Sequence, residues 1–178
     1  MNDTIYLIGF MASGKTTLGR ALADILPEYR FVDLDESIED AEGMTVNDIF
    51  SLRGEEFFRR RESELLRGLS APGVIMACGG GTPCHRGNMD FMLGTGTVVW
   101  LVADDDVTIR RLHLTRGGRP LIDSMLDDPA ALRSHIASLN ERRYPYYSRA
   151  HHVFDSNRLE DKNQIDLSCQ QFINKLLR

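Results

Sequence analysis

The most constraining stretch of this sequence is T-I-Y-L-I-G-F-M-A-S-G-K-T-T, over residues 4–17. An apolar, β-prone run ends in Gly9, and Gly14-Lys15-Thr16 follows after four intervening residues. Leu18, Ala21, Leu22 and Ile25 then recur at helical spacing. A strand, a tight loop and a helix are thus joined by G-x-x-x-x-G-K-T, a P-loop. Its glycines let the backbone wrap so that successive N–H groups converge on an anion. The helix start adds unpaired N–H groups and the positive end of its dipole. Lys15 is long enough to meet β- and γ-phosphates, and the Thr16 hydroxyl suits Mg²⁺. The pattern implies a nucleoside triphosphate held at a βα junction.

The rest of the chain repeats that alternation. Short apolar runs at 4–9, 31–34, 73–78, 97–103 and 152–155 read as strands. Helical patterns lie near 15–26, 36–41, 45–52, 55–69, 86–93, 105–115, 129–143 and 160–177. Strands that are apolar throughout, rather than alternating, are those buried on both faces, so the expected fold is a doubly wound parallel sheet. A length of 178 residues fits one domain, 1–178, with a sizeable core. The net charge of −5 disfavours a nucleic-acid partner, which wants a basic face. The longest apolar run, 98–103, is too short to span a bilayer, and no leader-like stretch precedes Thr4. Cys78, Cys84 and Cys169 match neither a disulfide framework nor a zinc site. A cytoplasmic monomer acting on a small molecule is the expectation.

Ligands of open parallel sheets sit beyond the carboxyl ends of the strands, and several polar features fall there. Asp33 and Asp35 close the second strand as D-L-D. Alternation along a strand sets both carboxylates on one face, roughly 6–7 Å apart, one suited to a Mg²⁺ shell and the other to an acceptor hydroxyl. Gly79-Gly80-Gly81 follows the third strand and permits close backbone approach to a ligand. Arg59, Arg60 and Arg61 lie on the helix 55–69, where Glu62 neighbours Arg59 three residues on. A second basic cluster is Arg142-Arg143 before Tyr144. Guanidinium forks bind carboxylates and phosphates bidentately. The segment 115–128, TRGGRPLIDSMLDD, lacks periodicity and reads as a mobile lid.

Together these features resemble the shikimate kinase family across nearly the whole chain. The matching elements are G-F-M-A-S-G-K-T-T at 9–17, D-L-D at 33–35, G-E-E-F-F-R-R-R-E at 54–62, G-G-G at 79–81, R-P-L at 119–121 and E-R-R-Y-P-Y-Y at 141–147. The resemblance implies a five-stranded parallel sheet of order 2-3-1-4-5, like that of nucleoside monophosphate kinases. It also implies transfer of the ATP γ-phosphoryl group to the 3-hydroxyl of shikimate. On that basis Ala12, Ser13, Gly14, Lys15, Thr16 and Thr17 would cradle the phosphates, with Mg²⁺ on Thr16 and, through water, Asp33. Asp35 would act as base, Arg59 and Arg143 would clamp the shikimate carboxylate, and Gly80 and Gly81 would complete the pocket. Arg119 would close over the phosphates from the lid, and adenine would lie near Ser156, Asn157 and Arg158.

The sequence departs from the family pattern in a short lid, where Arg111 or Arg116 takes the part of a further arginine. Arg142 competes with Arg143 for the second clamp; distance to Pro145 favours Arg143. Rival readings are a gluconate or nucleoside monophosphate kinase of the same architecture, and a nucleotide switch with no acceptor.

Overall fold

A computed structural model describes residues 3–115 and 120–176. Its sheet has the parallel strands β1 (Thr4–Ile8), β2 (Arg30–Asp33), β3 (Val74–Ala77), β4 (Gly96–Val102) and β5 (His152–Asp155), in the order β2-β3-β1-β4-β5. All of β1 is buried because strands flank it on both edges and helices cover both faces. Successive side chains serve opposite cores, as the pleat requires. Tyr6 and Ile8 pack toward Phe58, Leu66, Met89 and Tyr147, whereas Ile5 and Leu7 pack toward Leu18, Leu22 and Phe172.

The helices are α1 (Lys15–Ile25), α2 (Leu34–Glu42), α3 (Val46–Leu69), α4 (Asn88–Thr95), α5 (Asp105–Leu114), α6 (Pro120–Asp123), α7 (Pro129–Tyr147) and α8 (Lys162–Leu176). Thr45 caps α3 as its spacing predicts, its hydroxyl accepting from the Asp48 amide at 3.1 Å and donating to the Asp48 carboxylate at 2.7 Å. The expected pair of helices at 45–52 and 55–69 is continuous except at Gly54, whose φ of 81° and ψ of 167° interrupt it. That conformation is open to glycine and strained for other residues.

Two boundaries differ from expectation for physical reasons. The D-L-D pair does not alternate along a strand: β2 stops at Asp33, whose carboxylate caps α2 by accepting from the Asp35 and Glu36 amides at 3.1 and 3.4 Å. Asp35 therefore sits in the first turn of a helix. Helix α7 runs past 143 and through Pro145, where the Glu141 carbonyl loses its helical donor and is crowded by the proline ring. Buried Tyr147 anchors its end, the phenol donating to the Gly80 carbonyl at 2.6 Å.

Of the lid segment, 116–119 lies outside the described residues. Beyond it, Ile122 and Leu126 are buried against Leu112, Leu132, Ile136 and Phe10, forming a third apolar cluster beside the phosphate loop. No helix among the described residues is long and apolar enough to cross a membrane.

Candidate active site

The loop between β1 and α1 is shaped by its left-handed residues. Gly14, at φ 90°, is the N-cap of α1, with no side chain capping the helix and no acid in its first turn. The orphan N–H groups there are left for an anion. Ala12 also adopts a left-handed φ of 58°, which costs a residue with a Cβ about 1–2 kcal/mol and completes the nest of backbone donors. A Cβ on Gly14 would stand 2.4 Å from Leu159 Cδ1, so only glycine lets that side chain close over the loop. The Lys15 ammonium donates to the Gly9 and Phe10 carbonyls at 3.1 and 2.8 Å. Burial pushes it down to about 8, against the pull of Asp35 and Asp33. Thr16 Oγ1 donates to Asp33 Oδ2 at 2.8 Å, bringing together the hydroxyl and carboxylate expected at a cation.

This cradle opens into a cavity of about 360 Å³, lined by Lys15, Thr16, Asp33, Asp35 and Gly79 among others. Asp35 is the chemically distinctive group. Burial, reinforced by Asp33 and Glu62, pushes its carboxyl up to about 6, while Lys15 and Arg59 oppose the rise. A carboxylate so poised accepts a proton near neutral pH.

The three glycines after β3 make room for side chains. A Cβ on Gly79 would lie 2.9 Å from Asp35 Oδ1, one on Gly80 2.7 Å from Arg143 Nη1, and one on Gly81 2.7 Å from Arg59 Nη2. Arg59 is thus the member of its run that turns inward. Arg61 pairs with Glu42 and Glu64, and Arg60 is largely exposed over Phe57. The Arg59 guanidinium is held by Glu62 at 3.0 Å and Glu55 at 3.2 Å and lies over the Phe58 ring at 5.2 Å. Arg143 lies over Phe10 at 5.6 Å, and its buried Nη1 has no hydrogen-bond partner among the described residues. A buried guanidinium nitrogen left open beside a glycine is a site for an anion. Arg142, by contrast, is exposed.

On the cavity's other side the wall is Leu159 and Glu160, with Leu114 and Thr115, rather than Asn157 and Arg158. Arg158 is exposed, and the Asn157 side chain accepts from the Asp104 amide at 2.8 Å. The Arg158 carbonyl accepts from the Ser168 hydroxyl of α8 at 2.8 Å, so contacts at these two positions tie the loop between β5 and α8 to its neighbours. Arg111 lines the cavity, its guanidinium donating to Glu160 at 3.0 Å and to the Ser156 and Ala12 carbonyls at 2.9 and 3.4 Å. Arg116 and Arg119 lie outside the described residues. Among those described, no group of three His, Cys, Asp or Glu side chains forms a metal cage.

The chain matches a family model described as shikimate kinase over residues 11–176. It is 40% identical to the shikimate kinase of Bacteroides fragilis over 174 residues, covering 97% of this chain and 95% of the relative. Among solved structures, the shikimate kinase of Bacteroides thetaiotaomicron superposes with a TM-score of 0.92 at 38% identity, covering 99% of each chain. The Acinetobacter baumannii shikimate kinase, solved in complex with shikimate, gives 0.82 at 32% identity, covering 98% of this chain and 95% of that one.

Proposed function

The chain belongs to the shikimate kinase family, and from that premise we propose how its residues divide the transfer of the ATP γ-phosphoryl group to the 3-hydroxyl of shikimate. The products are shikimate 3-phosphate and ADP, a step in aromatic amino acid biosynthesis. Residues Ala12 to Thr17 hold the phosphates through backbone N–H groups, and Lys15 neutralises the β- and γ-oxygens. Thr16 and Asp33 are the residues that would hold Mg²⁺, a fit supported by their mutual hydrogen bond at the mouth of the cradle. When bound, the ion neutralises charge on the phosphate oxygens. Asp35 accepts the proton of the attacking hydroxyl. Arg59 and Arg143 grip the substrate carboxylate, with backbone from Gly80 and Gly81 at the pocket floor. Arg119 closes over the transferring group from a lid at 115–128, excluding water that would otherwise intercept it. Adenine lies along the wall of Arg111, Leu114 and Leu159.

The observation that carries this reading is one cavity shared by a phosphate cradle and a buried carboxylate, with two inward guanidinium groups behind adjacent glycines. A nucleotide acceptor offers no carboxylate to that pairing, whereas gluconate does, so the acceptor assay below includes gluconate. The free thiols of Cys78, Cys84 and Cys169 suit a reducing compartment, and we assign the enzyme to the cytoplasm as a monomer with 1–178 as one unit. ADP release measured with shikimate, quinate, gluconate and AMP in turn is expected to respond to shikimate. Stimulation by gluconate or AMP alone overturns the assignment.

Two further results are expected. Arg59→Lys, which loses the planar fork, raises KM for shikimate about tenfold while kcat changes little. An unchanged KM moves the clamp elsewhere. The pH profile of kcat/KM falls on the acid side near 6, where Asp35 takes up its proton, and on the basic side near 8, where Lys15 loses its own. Bound phosphates hold Lys15 charged, so the basic limb of kcat moves to higher pH. Coincident basic limbs in the two profiles would remove Lys15 as their origin.

A further inference from the structure

We propose that Thr82 is a positioning residue: its hydroxyl holds one oxygen of Glu62 so that the other keeps Arg59 aimed at the substrate. The inference rests on the reading of Arg59 as the clamp for the shikimate carboxylate.

Glu62 and Thr82 are both fully buried. One Glu62 oxygen accepts from Thr82 Oγ1 at 2.6 Å and the other from Arg59 Nη1 at 3.0 Å. Glu62 is therefore a two-ended bracket, holding the arginine with one oxygen and held by a neutral donor on the other. The hydroxyl is fixed in turn. Thr82 opens a short 3-10 turn, Thr82–Cys84, and its carbonyl accepts from the side-chain amide of buried Asn88 at 3.0 Å. Arg67 donates to Asn88 Oδ1 at 2.9 Å. Gly79 leaves the gap in which the pair meets, for a Cβ there would stand 3.1 Å from Thr82 Oγ1 and 3.3 Å from Glu62 Oε1.

The charge of Glu62 is not secure on its own. Burial raises it first, and Glu55 raises it further; Arg59 and Thr82 oppose. Asp35 on α2 also bears on Glu62, and the thiols of Cys78 and Cys84 face it from the segment after β3. Without the hydroxyl, Oε1 keeps no donor beside an acidic neighbour, and a proton takes the vacant position. A neutral Glu62 no longer balances Arg59, whose remaining carboxylate partner is the exposed Glu55 at 3.2 Å. The guanidinium then swings outward, off the pocket. Because protonation drives the loss, the defect deepens as pH falls.

The test is steady-state kinetics on the full chain, with shikimate titrated from pH 6 to pH 8 in wild type, Thr82→Val, Thr82→Ala and Thr82→Ser. Relative to wild type at each pH, the Val and Ala variants are expected to raise KM for shikimate about threefold at pH 8 and about tenfold at pH 6. Their kcat and KM for ATP stay within about twofold, and Thr82→Ser restores wild-type behaviour. A KM ratio that is flat with pH, or a serine variant that fails to rescue, overturns the proposal. So does loss of folding in both the Val and Ala variants, which would make the hydroxyl purely structural. Arg59→Lys run alongside separates the two levels. If it leaves KM unchanged, the clamp reading fails; if it raises KM while Thr82→Val does not, only the Thr82 proposal fails.

Discussion

Asp35→Asn is expected to lower kcat by about 10³-fold, within the 10²–10⁴ that a positioned base contributes, while ATP still binds. The amide keeps the shape of the side chain but cannot accept the proton of the attacking hydroxyl. ADP release with saturating shikimate measures the loss, and near-normal turnover would show that another group is the base. Two accompanying changes identify the mechanism. Asp35 is the strongest influence holding Lys15 up, so its removal drives Lys15 below about 8 and weakens ATP binding at alkaline pH. Stability should move the opposite way from activity. Asp35 titrates near 6 in the fold against an ordinary 3.8, so its contribution to stability is full below 3.8 and lost as pH rises through 6. Above pH 6 the asparagine variant is spared that buried charge and should melt about 3 °C or more above wild type; below pH 4 the advantage vanishes.

Gly79→Ala should be nearly as damaging, although the residue carries no functional group. Its Cβ would meet the Asp35 carboxylate at 2.9 Å, a distance that real Cβ atoms essentially never show, with Thr82 Oγ1 at 3.1 Å and Glu62 Oε1 at 3.3 Å. All three must give way, and they are the proposed base and the bracket behind Arg59. Misplacing a reacting group by as much as about 1 Å costs about 10²-fold, so kcat should fall by up to about that factor and KM for shikimate rise with it. The control is Gly68→Ala in α3, where a Cβ would meet nothing within 4 Å. That variant should keep full activity and gain up to about 1 kcal/mol of stability from helix propensity. Equal activity in the two variants would mean that the gap at Gly79 has no bearing on catalysis.

What could be read from the residues was whatever is decided within a few positions along the chain. The five strand positions followed from apolar runs bounded by turn residues, and the gap between helical patterns at 45–52 and 55–69 falls where Gly54 interrupts α3. The order β2-β3-β1-β4-β5 agrees with the family resemblance. Helical period placed Glu62 beside Arg59, and their pairing is there at 3.0 Å, while the choice of Arg59 among three consecutive arginines came from the resemblance. The misreadings were also local in origin. Asp35 looked like part of an alternating strand because an aspartate in the first turn of a helix and one that closes a strand carry the same letter, whereas Asp33 both ends β2 and caps α2. The resemblance put adenine near Ser156, Asn157 and Arg158, and the neighbouring Leu159, which covers Gly14, carries no polar group to mark it in the sequence.

The amino-acid order by itself therefore determined a phosphate-binding loop, a parallel sheet to carry it and the strand ends from which chemistry must come, since periodicity, caps and glycine placement act through neighbours in the chain. Only the tertiary structure decided what fills the three-glycine gap, which arginine nitrogen stays open, and that Thr82 reaches Glu62 twenty residues away or Tyr147 reaches Gly80 across sixty-seven. Those contacts are products of packing: helices α3 and α7 meet the end of β3 because each buries an apolar face on the same sheet, and a sequence records the faces but not the point at which they touch.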